Sequence, residues 1–298
     1  MNRQSRPNRV TEPGLYPMSD EDYFGDPVGG SLSQSGAKIL LREGGPAKYM
    51  YDMSVEEETS DEYDFGKAMH YRLLGAGTGY VVLDYASRAT NAYKAEAAAA
   101  RASGLVPLLP KPAARIEAMY EVVMRHPRAR ALLTCEGQAE LAGFIQDAGT
   151  GIWLRGKFDR LIEAGVVDYK TTADASPSAF TRSVLKYGYH IQDAMYRRLA
   201  RELIGPECDR MFFIPQDKEP PYLTAVVELD DDFRAIGDYE LDRAIRLFSD
   251  CHASGSWAGY GDDLITLSPP RWALRDAEQV FADAEIAELT ELLERNAS

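Results

Sequence analysis

Few cysteines and histidines occur in this 298-residue chain, three and four respectively. Cys135, Cys208 and Cys251 lie far apart and form no C-x-x-C pair, which argues against a zinc knuckle, a structural zinc site or an iron-sulfur cluster. His70, His126, His190 and His252 are equally isolated. No H-E-x-x-H pair suggests zinc catalysis, so any metal is expected on oxygen ligands. There is no apolar run of about 18 residues to span a bilayer. The start, MNRQSRPNRVTEPG, has no apolar stretch that could serve as a signal peptide. These two absences predict a cytoplasmic protein that does not touch the membrane. No repeat period or low-complexity tract is found.

What is present is an ordinary globular composition, 45% hydrophobic and 27% charged. The length suits one elaborated domain with helical additions. The net charge of -14 argues at first against nucleic acid. The charge is unevenly spread, however. Residues 86–135 hold eight Lys/Arg against three Glu, residues 153–201 nine against five acids, and residues 51–64 seven acids and no base. A basic face on an acidic protein is compatible with this pattern, and so are solvated helix faces.

Along the chain, residues 1–30 are rich in Pro, Gly and Asp without a period and are expected as a flexible arm. LSQSGAKILL predicts a helix capped by Ser33 or Ser35, broken at Gly44-Gly45-Pro46. The acidic stretch from residue 54 to 64 reads as a surface loop, and FGKAMHYRLLG as a short helix over 65–75. Two or three helices follow across 88–134. Strand periodicity then begins in AELAGFIQ, GIWLRGKFDRLIE and GVVDYKTT, joined by short Gly-bearing turns. Helices near 176–184 and 187–204, strands RMFFIPQ and YLTAVVEL, and a helix over about 231–253 complete a mixed sheet flanked by helices.

Side chains alternate along a strand, so Asp168 and Lys170 share one face, and a tight turn brings Asp159 of the preceding strand beside Asp168. Two adjacent carboxylates repel unless a cation lies between them, and a hard divalent ion such as Mg²⁺ answers that need. Lys170 suits a phosphate oxygen or the activation of water. The plain alternative is a surface ion pair between Asp159 and Lys170. Glu140 on the preceding strand, His70 on the N-terminal helix, and Gln192 and Tyr196, i and i+4 on a later helix, are placed to face the same point.

In this combination the chain resembles the PD-(D/E)xK nuclease superfamily in its RecB-like branch, and most closely the exonuclease VIII (RecE) group of phage and prophage exodeoxyribonucleases. The resemblance runs over about residues 31–275. It is carried by LSQSGAKILL with PAKYMYD, FGKAMHYRLLG, AELAGF with GKFDRLIEAGVVDYKTT, YGYHIQDAMYRRLA, and a terminal TLSPPRWA. It implies an α/β, restriction-endonuclease-like mixed β-sheet flanked by helices, with an N-terminal helical elaboration. By resemblance His70, Glu140, Asp159, Asp168 and Lys170 are catalytic, and His70, Asp159, Asp168 and the backbone carbonyl of Tyr169 hold Mg²⁺, for which Mn²⁺ substitutes. Gln192, Tyr196, Arg155 and Lys157 support the site or bind DNA.

The implied activity is 5′-to-3′ removal of one strand from linear double-stranded DNA ends. It would leave 3′ tails for a single-strand annealing protein, and the enzyme would work as a homo-oligomer. The competing readings are a catalytically silent DNA-binding or assembly module, a DNA-mimic inhibitor, and a structure-specific endonuclease of the same fold. Residues 276–298, with seven acids against Arg295, are expected as an acidic helix. The family pattern does not explain it, and its stripe of Ile286, Leu289 and Leu293 reads as intramolecular packing or a subunit contact.

Overall fold

The computed structural model describes residues 10–55 and 60–296, with side chains described as far as residue 285. In chain order, the elements up to the first long strand are β1 (Gly14–Pro17), α1 (Asp20–Phe24), β2 (Ser31–Ser33), α2 (Gln34–Leu40), α3 (Gly45–Asp52), α4 (Asp61–Leu74), β3 (Tyr80–Val82), α5 (Asn91–Ala102), β4 (Val106–Leu108), α6 (Pro110–Arg125) and α7 (Pro127–Thr134). They are followed by β5 (Gly137–Gln146), β6 (Trp153–Ile162), β7 (Gly165–Thr172), α8 (Pro177–Tyr187), α9 (Tyr189–Leu203), β8 (Arg210–Asp217), α10 (Asp231–Ser254) and α11 (Arg271–Asn296). Two compact units result, one ending at Gly259 and the other beginning at Tyr260.

The main sheet of the first unit has the order β1-β5-β6-β7-β8, and β2 also pairs with β6. β5, β6 and β7 form an antiparallel meander, and β8 returns parallel to β7. Alternation along β7 serves two cores. Val166 joins Phe158, Leu199 and Phe248 in a cluster shared with α2, α9 and α10. Val167 and Tyr169 join Met69, Ile116 and Ile214 in a cluster shared with α4 and α6. A strand buried on both faces reads as a continuous apolar run, which is why VV precedes Asp168.

The feature that positions the site is a fork. β7 pairs with β6 only over Arg160–Ile162, and β2 pairs with β6 in parallel over Trp153–Arg155. Between these contacts, residues 156–159 of β6 have no strand on that edge. α2 begins directly after β2, with Ser33 Oγ capping it by accepting the N–H of Gly36, so a helix start rises beside the gap.

Several sequence expectations are corrected here. From Gly14 onward, the supposed flexible arm of residues 1–30 contributes β1 along the outer edge of β5, then α1, and β2 begins at Ser31. Strands of three or four residues have too little alternation to read locally. Residues 1–9 lie outside the described residues, as do 56–59 of the acidic stretch; Asp61 to Asp64 already form the first turn of α4, capped by Ser60. A two-stranded parallel sheet, β3 with β4, was not expected at all. YLTAVVEL makes only isolated bridges to β8, Val227 with Phe213 and Thr224 with Gln216. Pro215 accepts from Ala225 but has no N–H to return, so the ladder is interrupted.

The second unit consists of a loop and α11. Leu264, Leu267, Trp272 and Phe281 are exposed, and the stripe of Ile286, Leu289 and Leu293 lies outside the described side chains. Among the described residues, no helix is long and apolar enough to cross a membrane.

Candidate metal centre

β7 delivers the first half of the site. Asp168 is buried, and its Oδ1 accepts from Gln192 Nε2 of α9 at 2.6 Å. Its Oδ2 lies 2.7 Å from Lys170 Nζ, an ion pair without hydrogen-bond alignment, so the oxygen is otherwise unpartnered. Burial raises the Asp168 carboxyl above its ordinary range and the charge of Asp159 adds to this, against the pull of Lys170. For Lys170, burial acts downward, but Asp168 and Asp159 outweigh it and hold the amine protonated.

β6 delivers the second half. Phe158 and Leu161, three residues apart, enter the same core cluster, so the alternation slips by one at Asp159 and Arg160. Asp159 thereby turns into the fork. Its Oδ2 accepts the backbone N–H of Tyr169 at 2.9 Å and lies 3.4 Å from His70 Nδ1 of α4. Burial pushes the Asp159 carboxyl up, but His70, Lys170 and the Tyr169 N–H prevail and lower it. His70 moves the opposite way, its burial overcome by Asp159. The N–H and C=O of one strand residue leave by the same edge, so the Tyr169 carbonyl is directed into the fork as well.

Glu140 occupies the register position opposite Asp159, the one place where the β5–β6 ladder is unpaired, with φ of +58°. A left-handed glutamate in a strand is strained, and such strain collects at functional sites. Its Oε2 pairs with Lys157 Nζ at 2.7 Å, yet burial still raises its pKa. Ligand atoms of His70, Glu140 and Asp159 all lie within 4.8 Å of one another. The trio that converges thus contains Glu140, while Asp168 stands beside it with Lys170 and Gln192.

The other expected residues serve this frame. Tyr196 Oη donates to the Lys157 carbonyl at 2.9 Å, and its ring meets Phe158 edge-on, so α9 braces both arms of the fork, Gln192 on β7 and Tyr196 on β6. Arg155 is buried against Asp26 at 2.7 Å. Lys157 is held by Glu140 and by Asp20 of α1, so its amine is already taken by two carboxylates. Asp20 itself also pairs with Lys67 at 3.0 Å. Asp20 and Lys67 were not foreseen; the S-x-x-D of Ser19 to Asp22 marks a helix start but says nothing of long-range partners. A cavity of about 930 Å³ opens from His70, Glu140 and Asp159 past Lys67 toward Ser35 and Tyr63.

The donor set is oxygen-rich with one imidazole, includes a buried carboxylate oxygen lacking a hydrogen bond, and gathers like charges that need neutralising. It fits a hard divalent cation. His70, Glu140, Asp159 and Asp168 are the residues that would hold it.

Comparison with known proteins agrees with this architecture. The family model described as a PDDEXK-like domain of unknown function (DUF3799) matches residues 33–264. No curated protein matches the chain. Among solved structures, a protein of Eubacterium rectale named as a candidate exonuclease aligns with a TM-score of 0.54 at 16% identity, covering 87% of this chain and 98% of its own. An alkaline exonuclease of Laribacter hongkongensis aligns with a TM-score of 0.29 at 14% identity, over 76% of this chain and 92% of its own. A phage-related exonuclease of Haemophilus somnus 129PT aligns with a TM-score of 0.32 at 11% identity, over 76% and 96%. At these identities the first likeness concerns the fold, and the other two add nothing to it. Because the match covers well over half of the chain, including β5 to β8 and His70, Glu140, Asp159, Asp168 and Lys170, the chain belongs to the PDDEXK-like domain family DUF3799, whose function is not known.

Proposed function

We propose that the protein is a metal-dependent deoxyribonuclease acting on linear double-stranded DNA ends in the 5′-to-3′ direction. The observation that carries this reading is the convergence of Asp159, Asp168, Glu140, His70 and Lys170 in one sheet fork. Bound there, Mg²⁺, or Mn²⁺ in its place, would make water nucleophilic at neutral pH and stabilise the charge of phosphodiester cleavage. Asp159, anchored by the Tyr169 N–H, and Asp168, anchored by Gln192, are fixed in orientation. Lys170 neutralises a phosphate oxygen or orients the attacking water. Phosphate contacts carry no sequence information, which suits a duplex end as substrate.

Release of 3′ tails to a single-strand annealing protein, and work as a homo-oligomer, follow from the exonuclease VIII resemblance by analogy. Pure protein is assayed on linear duplex and on covalently closed circles with Mg²⁺ or Mn²⁺. Digestion of the linear form alone is expected, with strand-specific end labels reporting the direction. Intact linear DNA under both ions would leave the silent-module reading standing. Circles cut as fast as linear DNA would make the protein an endonuclease.

A further inference from the structure

α2 begins beside the fork, and Lys38 extends from it across the junction of α8 and α9. A Cβ added to Gly188, whose φ is +65°, would fall 2.5 Å from Cδ and 2.8 Å from Cγ of Lys38. Gly188 therefore meets two needs, the left-handed conformation that ends α8 and the space through which the lysine stem passes. Beyond that stem, the strongest charged neighbours of the amine are Lys170 and Asp168. Lys38 makes no hydrogen bond or ion pair with any described residue.

Asp168 cannot serve as its counterion, because Lys170 and Gln192 already engage both carboxylate oxygens. At the end of β7, Lys38 thus stands near a carboxylate already committed to Lys170 and Gln192. Burial, followed by the charge of Lys170, pushes the Lys38 amine down to about 8. Holding a half-buried amine beside another amine is unfavourable. An amine held there without an ion-pair partner is relieved by an arriving anion, and a phosphodiester is such an anion. Gly188, which the Lys38 stem passes, adjoins Tyr189, whose ring centre lies 5.2 Å from Lys170 Nζ, so α2 and β7 bring the two lysines to the same end of α9.

We infer that Lys38 is a second phosphate-holding residue of the reacting centre, gripping with Lys170 the non-bridging oxygens of the phosphodiester under attack. The inference rests on the nuclease reading above and adds a residue to it. It also gives α2 a direct part in the chemistry, where the expected catalytic set drew only on α4 and the meander.

The test compares Lys38→Met, which keeps the stem and removes the charge, with Lys38→Arg, both as full chains. With linear duplex and Mg²⁺, Lys38→Met should lower kcat/KM about ten- to hundredfold, the worth of one charge-assisted hydrogen bond. Lys38→Arg should retain most of the activity. The slope of log kcat/KM against log salt should become shallower in Lys38→Met by about 0.7 to 0.9, one phosphate contact. Thermal melting of Lys38→Met should be unchanged or raised, since an unpartnered amine is removed. Kinetics within twofold of wild type, with an unchanged salt slope, overturn the inference and leave the nuclease reading intact. A lowered melting temperature with Lys38→Arg as impaired as Lys38→Met also overturns it, because the role would then be structural. A wild type that leaves DNA intact in Mg²⁺ and Mn²⁺ is instead the failure of the nuclease reading, and this inference falls with it.

Discussion

The carboxylate of Asp159 accepts the backbone N–H of Tyr169 at 2.9 Å, standing where a ladder bond between β6 and β7 would otherwise form. A side chain has replaced a strand contact, so the strands part without leaving that N–H unsatisfied. The same bond fixes the carboxylate beside His70. Splaying the sheet and orienting the ligand are therefore one event, and Asp159→Ala should both destabilise the fork and remove the activity.

Asp168→Ala separates chemistry from binding more cleanly. Asp168 is buried, held by Lys170 and Gln192. Removing its carboxylate should lower the cleavage rate by about a thousandfold or more, as for loss of a group acting on transition-state charge. Binding to DNA ends, read by fluorescence anisotropy, should persist. Full activity in this variant would refute the metal site.

Gln192→Ala tests the support behind Asp168. Loss of the 2.6 Å bond to Oδ1 frees a buried carboxylate to rotate. Affinity for Mn²⁺, measured by calorimetry, should fall about ten- to hundredfold, the usual effect of removing an outer partner of a ligand. Tyr196→Phe removes a bond to the Lys157 carbonyl instead. That variant should lose about 1 kcal/mol of stability while Mn²⁺ affinity stays near wild type.

Asp159, Asp168 and Lys170 were legible because strand alternation and a tight turn are local properties, and Gln192 with Tyr196 because i and i+4 share a helix face. The structure brings these residues close together, with α9 holding Asp168 through Gln192 and the β6 backbone through Tyr196. Three things were not legible. The slip between Phe158 and Leu161 and the left-handed Glu140 are backbone departures that residue types do not announce. β1 and β2 draw their pairing from partners more than a hundred residues away. Lys157 was expected to support the site or bind DNA, and its partner Asp20, from a segment without period, reaches it across 137 residues of chain. Long-range pairing of short segments leaves no periodic trace.

Metal binding should strengthen as pH rises through the acidic range. Burial raises both Asp168 and Glu140, and Asp159 overcomes burial to raise His70, so at low pH each of the three keeps a proton that a cation must displace. Asp159 is lowered and contributes no such release. Titrating Mn²⁺ in two buffers of different ionisation enthalpy should reveal protons leaving on binding below neutral pH, fewer as pH rises. Proton uptake, or affinity independent of pH between 4 and 7, would contradict the arrangement.

Asp20 predicts a pH dependence of stability with the opposite origin. Burial acts to raise its pKa, but Lys157 and Lys67 prevail and lower it from 3.8 to about 2. A depressed folded-state value means the ionised form is favoured by folding, so the contribution is fully present above about pH 4 and disappears as pH falls toward 2. The shift corresponds to about 2 kcal/mol for this largely buried carboxylate. Asp20→Asn should therefore be less stable than wild type by about that amount at pH 7, by roughly half of it near pH 3, and by little at pH 2. Urea denaturation at these three pH values measures the gap. A difference that stays constant from pH 7 to pH 2 would show that Asp20 acts by packing, and that its two lysines contribute no net charge stabilisation to the wall of the site.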